Sequence, residues 1–329
     1  MSGSTLSPAA RIALAIGAAA AVALAWGSLV ERTRWTLRRA DVPVLPAGAA
    51  PIRVLHLSDL HMAPWQRDKQ DWVRSLAGLE PDLIVDTGDN LGHERGIEGV
   101  RRALEPFRGI PGVFVNGSND YFGPVVKNPF LYFGGPSTHI PRSKPLDIGE
   151  LHEFFAELGW HDLDNTAAAL DLRGTHFEFF GVDDPHKGYD RLDLITAAID
   201  ELRAEDPLGD ETWPDALRRA QGPVNGRPTV TVGVAHAPYQ RVLNSFVNHG
   251  AQLMLAGHTH GGQVCLPGFG ALVTNCDIPR TQVSGLSTWR HGLRSAYLNV
   301  SAGLGTSIFA PVRFACPPEA TLLTLVGAE

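Results

Sequence analysis

From residue 52 onward the chain alternates short apolar runs with amphipathic stretches. Ile52-Arg53-Val54-Leu55-His56-Leu57 is rich in strand formers. Residues 68–80 follow with Trp72, Val73, Leu76 and Leu79 at the spacing of one helix face. Pro81 restarts the chain, and Asp82-Leu83-Ile84-Val85-Asp86-Thr87-Gly88-Asp89-Asn90 predicts a second, buried strand ending in a carboxylate. Ile97, Val100 and Leu104 place a helix over 96–107, and Gly112-Val113-Phe114-Val115-Asn116 a third strand. Strand, helix, strand, helix, strand is the pattern of βαβ units and a parallel sheet. The middle is less regular. Residues 122–150, rich in proline, glycine and aromatics, predict a long loop. A short helix is expected over 151–159, two edge strands over 167–182, and a helix followed by an acidic loop over 190–221. The regular pattern returns with a strand from Pro228 that ends in His236, a helix over 239–248 and Gly250 as its C-terminal stop. The apolar run from Ala251 that ends in His258 and His260 comes next, and residues 296–300 and 320–326 read as further strands.

The N-terminus follows a different rule. Ile12 to Val30 is free of charge and rich in alanine, just long enough to cross a bilayer. A cleaved signal peptide is the rival reading, which would place the rest of the chain outside the cell. Arg11 stands alone before the stretch, whereas Arg32, Arg34, Arg38 and Arg39 follow it. The positive-inside rule then puts the C-terminal side in the cytoplasm. The organisation expected is an anchor with its flanks over 1–40, a linker over 41–51 with its prolines and alanines, and a folded domain over 52–329. Membrane contact runs through residues 12–30, a single-pass arrangement in the cell membrane.

Composition narrows the picture further. The chain has 329 residues, 44% apolar, enough for a large core without staples. Its net charge of −7 argues against a nucleic-acid partner, which calls for a basic face. Cys265, Cys276 and Cys316 are odd in number and lack zinc-like spacing, so they predict free thiols rather than a disulfide framework.

Chemistry concentrates where the apolar strands stop. Five of them end in metal-ligand residue types: Asp59 with His61, Asp89, the Ser118-Asn119-Asp120 block, His236, and His258 with His260. In open α/β sheets, sites lie beyond the carboxyl ends of strands. His258 and His260, two residues apart at the end of a strand, are expected to point to one side. Gly257, Gly261 and Gly262 around them let backbone and metal approach closely. Mixed Asp, His and Asn ligands suit Mn, Fe or Zn. Six or seven ligands exceed one tetrahedral ion and fit two ions sharing a carboxylate.

Asp59-x-His61, Gly88-Asp89-Asn90, Gly117-Ser118-Asn119-Asp120, His236 and Gly257-His258-Thr259-His260 resemble, in order and spacing, the calcineurin-like metallophosphoesterases. The extended Gly-His-Thr-His-Gly-Gly-Gln block is similar to the membrane-associated or exported bacterial branch near the lipid-sugar pyrophosphatases. The resemblance implies an α/β sandwich of two mixed β-sheets flanked by helices. It implies two divalent ions, with Asp59, His61 and His260 on one, His236 and His258 on the other, and Asp89 bridging them. A metal-bridged hydroxide would then attack phosphorus in a phosphoester or pyrophosphate, on a phosphorylated small molecule or a lipid-linked substrate.

The third block departs from the family pattern. Ser118 and Asn119 stand where a metal-binding Asn and a leaving-group His are usual. Either Asn119 becomes the ligand, with the acid lost or supplied by His93 or His56, or Ser118 or water fills the coordination shell and Asn119 bonds a phosphoryl oxygen. Asp120 is expected to support ligands rather than bind metal. Asp183-Asp184-Pro185-His186 is expected to be a loop turn, with a place in the lining of the site as the alternative. A non-catalytic metal-binding scaffold of the same fold is the alternative to an enzyme.

Overall fold

The computed structural model describes residues 7–125, 143–205 and 229–328. Parts of the expected loop over 122–150, with His139, and most of the acidic loop after the 190s helix lie outside the described residues.

The elements run α1 (Pro8–Leu29), β1 (Thr36–Leu45), β2 (Ile52–Leu57), α2 (Arg67–Ser75), β3 (Leu83–Asp86), α3 (Gly96–Leu104), β4 (Gly112–Phe114), a single helical turn α4 (Ser118–Tyr121), α5 (Ile148–Leu158), β5 (Trp160–Asp162), β6 (Ala167–Leu172), β7 (Thr175–Val182) and α6 (Ile195–Glu205). They continue with β8 (Thr229–Ala235), α7 (Gln240–Asn248), β9 (Leu253–Ala256), the short β10 (Cys265–Leu266) and β11 (Gly270–Ala271), β12 (Gly285–His291), β13 (Arg294–Val300) and β14 (Glu319–Gly327).

Two mixed six-stranded sheets face each other. The first has the order β1-β14-β2-β3-β4-β5, parallel except where β14 meets β2. The second has the order β12-β13-β9-β8-β7-β6, parallel through its four central strands and antiparallel at both edges. Side-chain alternation in β2 shows how the layers form. Ile52 and Val54 enter the layer between the sheets, with Val232, Val234 and Leu255 of the second sheet. Leu55 and Leu57 face outward, under Phe107 and under Phe154 and Phe155 of α5. On the far side α6 and α7 cover the second sheet through Ile199, Phe246 and Val247. Strands buried on both faces have no polar side, which is why they read as unbroken apolar runs.

Three edge strands, β1, β5 and β12, were not expected. The stretch 41–51 is not a linker throughout, because Asp41–Leu45 belong to β1, in parallel register with β14 from Thr36↔Glu319 to Leu45↔Gly327. Arginines and a proline on an edge strand face water and disguise it. β12, with Ser287, Arg290 and His291, is hidden in the same way. Of the pair over 167–182, only β6 lies at an edge; β7 is flanked by β6 and β8.

α1 covers the apolar stretch and has the length and composition of a membrane span. Ser7 caps it, accepting from the Ala10 amide at 3.2 Å, and Pro8 occupies its first turn. Gly27 is its one buried residue. The Gly27 carbonyl accepts from the Arg313 amide at 3.1 Å, and a Cβ at Gly27 would lie 2.6 Å from the Arg313 oxygen. Just past the helix, Glu31 accepts from the Cys316 amide at 2.7 Å, and Trp35 packs against Trp72 of α2.

Candidate metal centre

Every expected ligand lies just past a strand end. Asp59 and His61 follow β2, Asp89 follows β3, Asn119 sits in the turn after β4, His236 follows β8, and His258 and His260 follow β9. Asp59, His61, Asp89, His258 and His260 all have left-handed backbones, with φ between 40° and 68°. Such values are uncommon outside glycine and cluster at functional sites.

That backbone corrects one expectation. His258 and His260 are not in extended chain, and they do not point to one space. His258 Nδ1 meets His236 Nε2 at 3.2 Å, whereas His260 Nε2 meets His61 Nε2 at 3.3 Å. Between these two poles stand the carboxylates. Asp89 Oδ2 is 3.5 Å from His61 Nε2, and its Oδ1 is 3.5 Å from His236 Nε2. Asp59 Oδ1 is 3.6 Å from His260 Nε2 and has no hydrogen-bond partner among the described residues. Asp59, His61 and His260 form one group able to hold an ion; Asp59, Asp89 and His236 form another.

Hydrogen bonds around the rings set their tautomers. His236 Nδ1 donates to the Thr87 carbonyl at 2.7 Å, which leaves the Nε2 lone pair facing the site. His258 Nε2 donates to the Asn275 carbonyl at 3.1 Å, which turns Nδ1 inward. Two inward lone pairs at 3.2 Å repel unless a cation or a proton lies between them. Burial opposes charge on His236, but the Asp89, Asp59 and Asp184 carboxylates outweigh it and push the imidazole up to about 9. Asp89 is pulled the other way. Burial disfavours its charge, yet His236, His61 and the Asn119 amide hold its carboxyl well below the usual range. Burial holds His61 down at about 4 and raises Asp59 to about 6. An orphaned carboxylate oxygen, inward lone pairs and a buried anionic centre fit divalent cations.

The third block surrounds Asp89. The Asn119 amide N–H donates to Asp89 Oδ1 at 2.8 Å, and its Nδ2 donates to Oδ2 at 2.6 Å. Ser118 donates its hydroxyl to Asp184, so that hydroxyl is already engaged. Asp120 accepts from the amides of Asp89, Asn90, Leu91 and Gly117, and so shapes the loop that carries Asp89. Of the two acids considered, His56 is excluded. It points between the sheets, bonded to Thr87 at 3.0 Å and Asn299 at 2.8 Å, and burial drives it down to about 3. His93 is half-buried at the rim, its ring 4.9 Å from Trp65.

Other residues were less legible beforehand, and for 183–186 it is the site-lining alternative that the contacts favour. The 183–186 stretch is more than a turn: Asp184 touches Ser118, and the His186 ring lies 4.5 Å from His258. Arg313 is fully buried, and its Nη1 donates to the His260 carbonyl at 3.2 Å. Its Nη2 donates to the carbonyls of Gly305 at 2.6 Å and Gly303 at 3.1 Å, and lies 3.2 Å from His260 Nδ1. The available signal was a lone arginine between Val312 and Phe314. A third group, His152, Asp162 and Asp164, gathers beside Asn116 but is partly exposed.

The model of the calcineurin-like phosphoesterases matches residues 52–262, from β2 through His260. The chain belongs to this family. A Bacillus subtilis (strain 168) relative, the uncharacterized metallophosphoesterase YkuE, is 23% identical over 306 residues, 90% of this chain and 86% of its own. A Bos taurus transmembrane protein with metallophosphoesterase domain is 26% identical over 232 residues, 68% of this chain, and the match spans 44% of its length. Among solved structures, the TT1561 protein of Thermus thermophilus aligns over 78% of this chain and 91% of its own, at 11% identity and a TM-score of 0.40. As a calcineurin-like phosphoesterase the protein is a phosphoester hydrolase, and its clustered Asp and His residues offer the ligands for a metal-dependent one.

Proposed function

We propose that the calcineurin-like phosphoesterase domain holds two divalent ions, Mn, Fe or Zn, and hydrolyses a phosphodiester or pyrophosphate bond. The observation that carries this is Asp89, whose two oxygens each face a different histidine pole at 3.5 Å. His61, His260 and Asp59 would hold one ion, His236 and His258 the other, with Asp89 between. Two such ions acidify a water nucleophile and clamp the attacking and leaving oxygens of an in-line displacement. The protein's part is to fix the ligands. Thr87 and Asn275 set two ring tautomers, and Asn119 holds both oxygens of Asp89. On rotating, the Asn119 side chain would offer its oxygen to the second ion or its Nδ2 to a phosphoryl oxygen.

No histidine occupies the leaving-group position, which Asn119 takes. Substrates whose leaving group needs no proton are therefore favoured. Hydrolysis of an alkyl monophosphate is expected to be about 10²-fold or more slower than that of a pyrophosphate. Equal rates on the two would sink the preference. We further propose a single-pass anchor through α1, a cytoplasmic domain and a lipid-linked phosphate as substrate. The basic flank after α1 and the transmembrane relative support the anchor.

The full chain in detergent, loaded with Mn, Fe or Zn, should bind about two ions and hydrolyse bis-p-nitrophenyl phosphate. One ion or none would withdraw the His236–His258 pole. Two ions with no turnover, even on pyrophosphates, would favour the second reading, a metal-binding scaffold, for which the Ser118-Asn119 departure speaks.

A further inference from the structure

Beyond residue 30, seven large apolar side chains stand exposed among the described residues. Four of them, Trp65, Leu266, Phe269 and Phe309, lie on three loops that carry or touch the metal ligands. Trp65 lies four residues past His61. Leu266 and Phe269 belong to the β10–β11 hairpin that follows His260. Phe309 sits on the 305–313 loop, where a Cβ on Gly305 would lie 2.7 Å from His61 Cβ and Arg313 reaches His260. The hairpin and this loop are tied together: Gln263 donates to the Ala310 carbonyl at 2.8 Å, and the Cys265 amide to the Phe314 carbonyl at 2.8 Å.

α1 docks on the same loop. Gly27 bonds Arg313 and abuts Val312, so one arginine side chain separates the last turn of α1 from His260. Trp26, 42% exposed in that turn, is the residue type that sits at a membrane–water interface. Arg34 lies over the Trp26 ring at 6.0 Å, and Arg280 over the Phe269 ring at 4.9 Å, each a cation beside an exposed aromatic. Such pairs of apolar and basic side chains match the acyl and anionic headgroup layers of a bilayer surface.

We propose that the rim of the metal centre, through Phe269, Leu266, Phe309 and Trp65, docks on the bilayer that α1 spans, so that a lipid phosphate enters the site directly from the leaflet. The docking rests on the surface alone; the lipid substrate rests also on the hydrolase reading above. Leu293 supplies an internal control. It is fully exposed in the β12–β13 turn, at the start of β13, whereas the end of β13 leads to the site.

The test replaces Phe309, Phe269 or Leu293, one at a time, by p-benzoylphenylalanine in the full chain. Each protein is reconstituted in phosphatidylcholine–phosphatidylglycerol vesicles, irradiated, and examined for lipid adducts by mass spectrometry. Adducts at positions 309 or 269 should exceed those at 293 by about tenfold, as expected for side chains buried in the headgroup–acyl boundary. Yields at both rim positions no higher than at 293 would overturn the docking. A second measurement uses the Phe269→Ser, Phe309→Ser double variant. Its hydrolysis of soluble bis-p-nitrophenyl phosphate should be unchanged, while hydrolysis of the lipid pyrophosphate CDP-diacylglycerol in vesicles falls about tenfold. An equal fall on both substrates would overturn delivery from the leaflet. Adducts at the rim with no hydrolysis of any substrate would leave the docking standing and remove the enzymatic reading.

Discussion

Replacing Asp89 with asparagine should lower hydrolysis of bis-p-nitrophenyl phosphate by on the order of 10³-fold, the scale of losing one preorganised charge at a reacting centre. The substitution keeps the shape and removes the negative charge that faces His61 and His236 at 3.5 Å each. It also sets an amide against the Asn119 side chain, which donates to Asp89 Oδ2 at 2.6 Å. Whichever way the new carboxamide is turned, its NH₂ faces a donor of Asn119, the side-chain Nδ2 or the main-chain amide, so one hydrogen bond is lost or the Asn119 side chain must turn over. Ion content should fall below two per chain along with the activity. Wild-type turnover with two bound ions in the variant would remove Asp89 from the role of shared ligand.

Gly257→Ala should cost about 1–3 kcal/mol in stability by overpacking and weaken metal binding by about 10–100-fold through displaced supporting contacts. The glycine lies between two ligand-bearing loops. Its amide donates to the His236 carbonyl at 2.8 Å. A Cβ there would overlap Ser58 Oγ and come within 2.6 Å of Asp59 Oδ2. Ser58 donates to that same oxygen at 2.6 Å, so the methyl group pushes apart the pair that orients Asp59. Gly78→Ala is the matched control, because nothing lies within 4 Å of its added Cβ. Calorimetry and metal titration on the two variants decide the matter. If Gly257→Ala melted and bound metal like Gly78→Ala, the close packing around Asp59 would be unimportant.

The candidate centre was largely legible in the sequence because its residues are polar and interrupt apolar runs. Asp59, Asp89, His236 and His258 are conspicuous for that reason. What the runs do not reveal is backbone conformation past the strand end. The alternation rule placed His258 and His260 on one side, and it fails where φ turns positive. The two rings part, and the separation creates the two poles. Arg313 was illegible for a related reason. Its role comes from a carbonyl cage made by Gly303, Gly305 and His260, contacts that no local pattern encodes. At the level of fold, the interior strands announced themselves by hydrophobicity. β1 and β12 did not, because an edge strand needs only one buried face and carries its charges on the rest.

The short passage between α1 and β1 sets the geometry available to the enzyme. Had residues 41–51 been a free coil, the domain would have swung through a hemisphere roughly 20 Å in radius. Instead a single 3-10 turn, Glu31–Thr33, leads almost directly into a strand zipped to β14. Little slack remains, so, with α1 spanning a bilayer as proposed, the centre would have a fixed elevation above the plane from which the helix emerges and a fixed azimuth around it. Such an arrangement selects by height. On the proposed lipid-linked reading, a phosphate carried at that level would meet the ligands through two-dimensional diffusion, whereas one held far out on a long headgroup would pass beyond their reach.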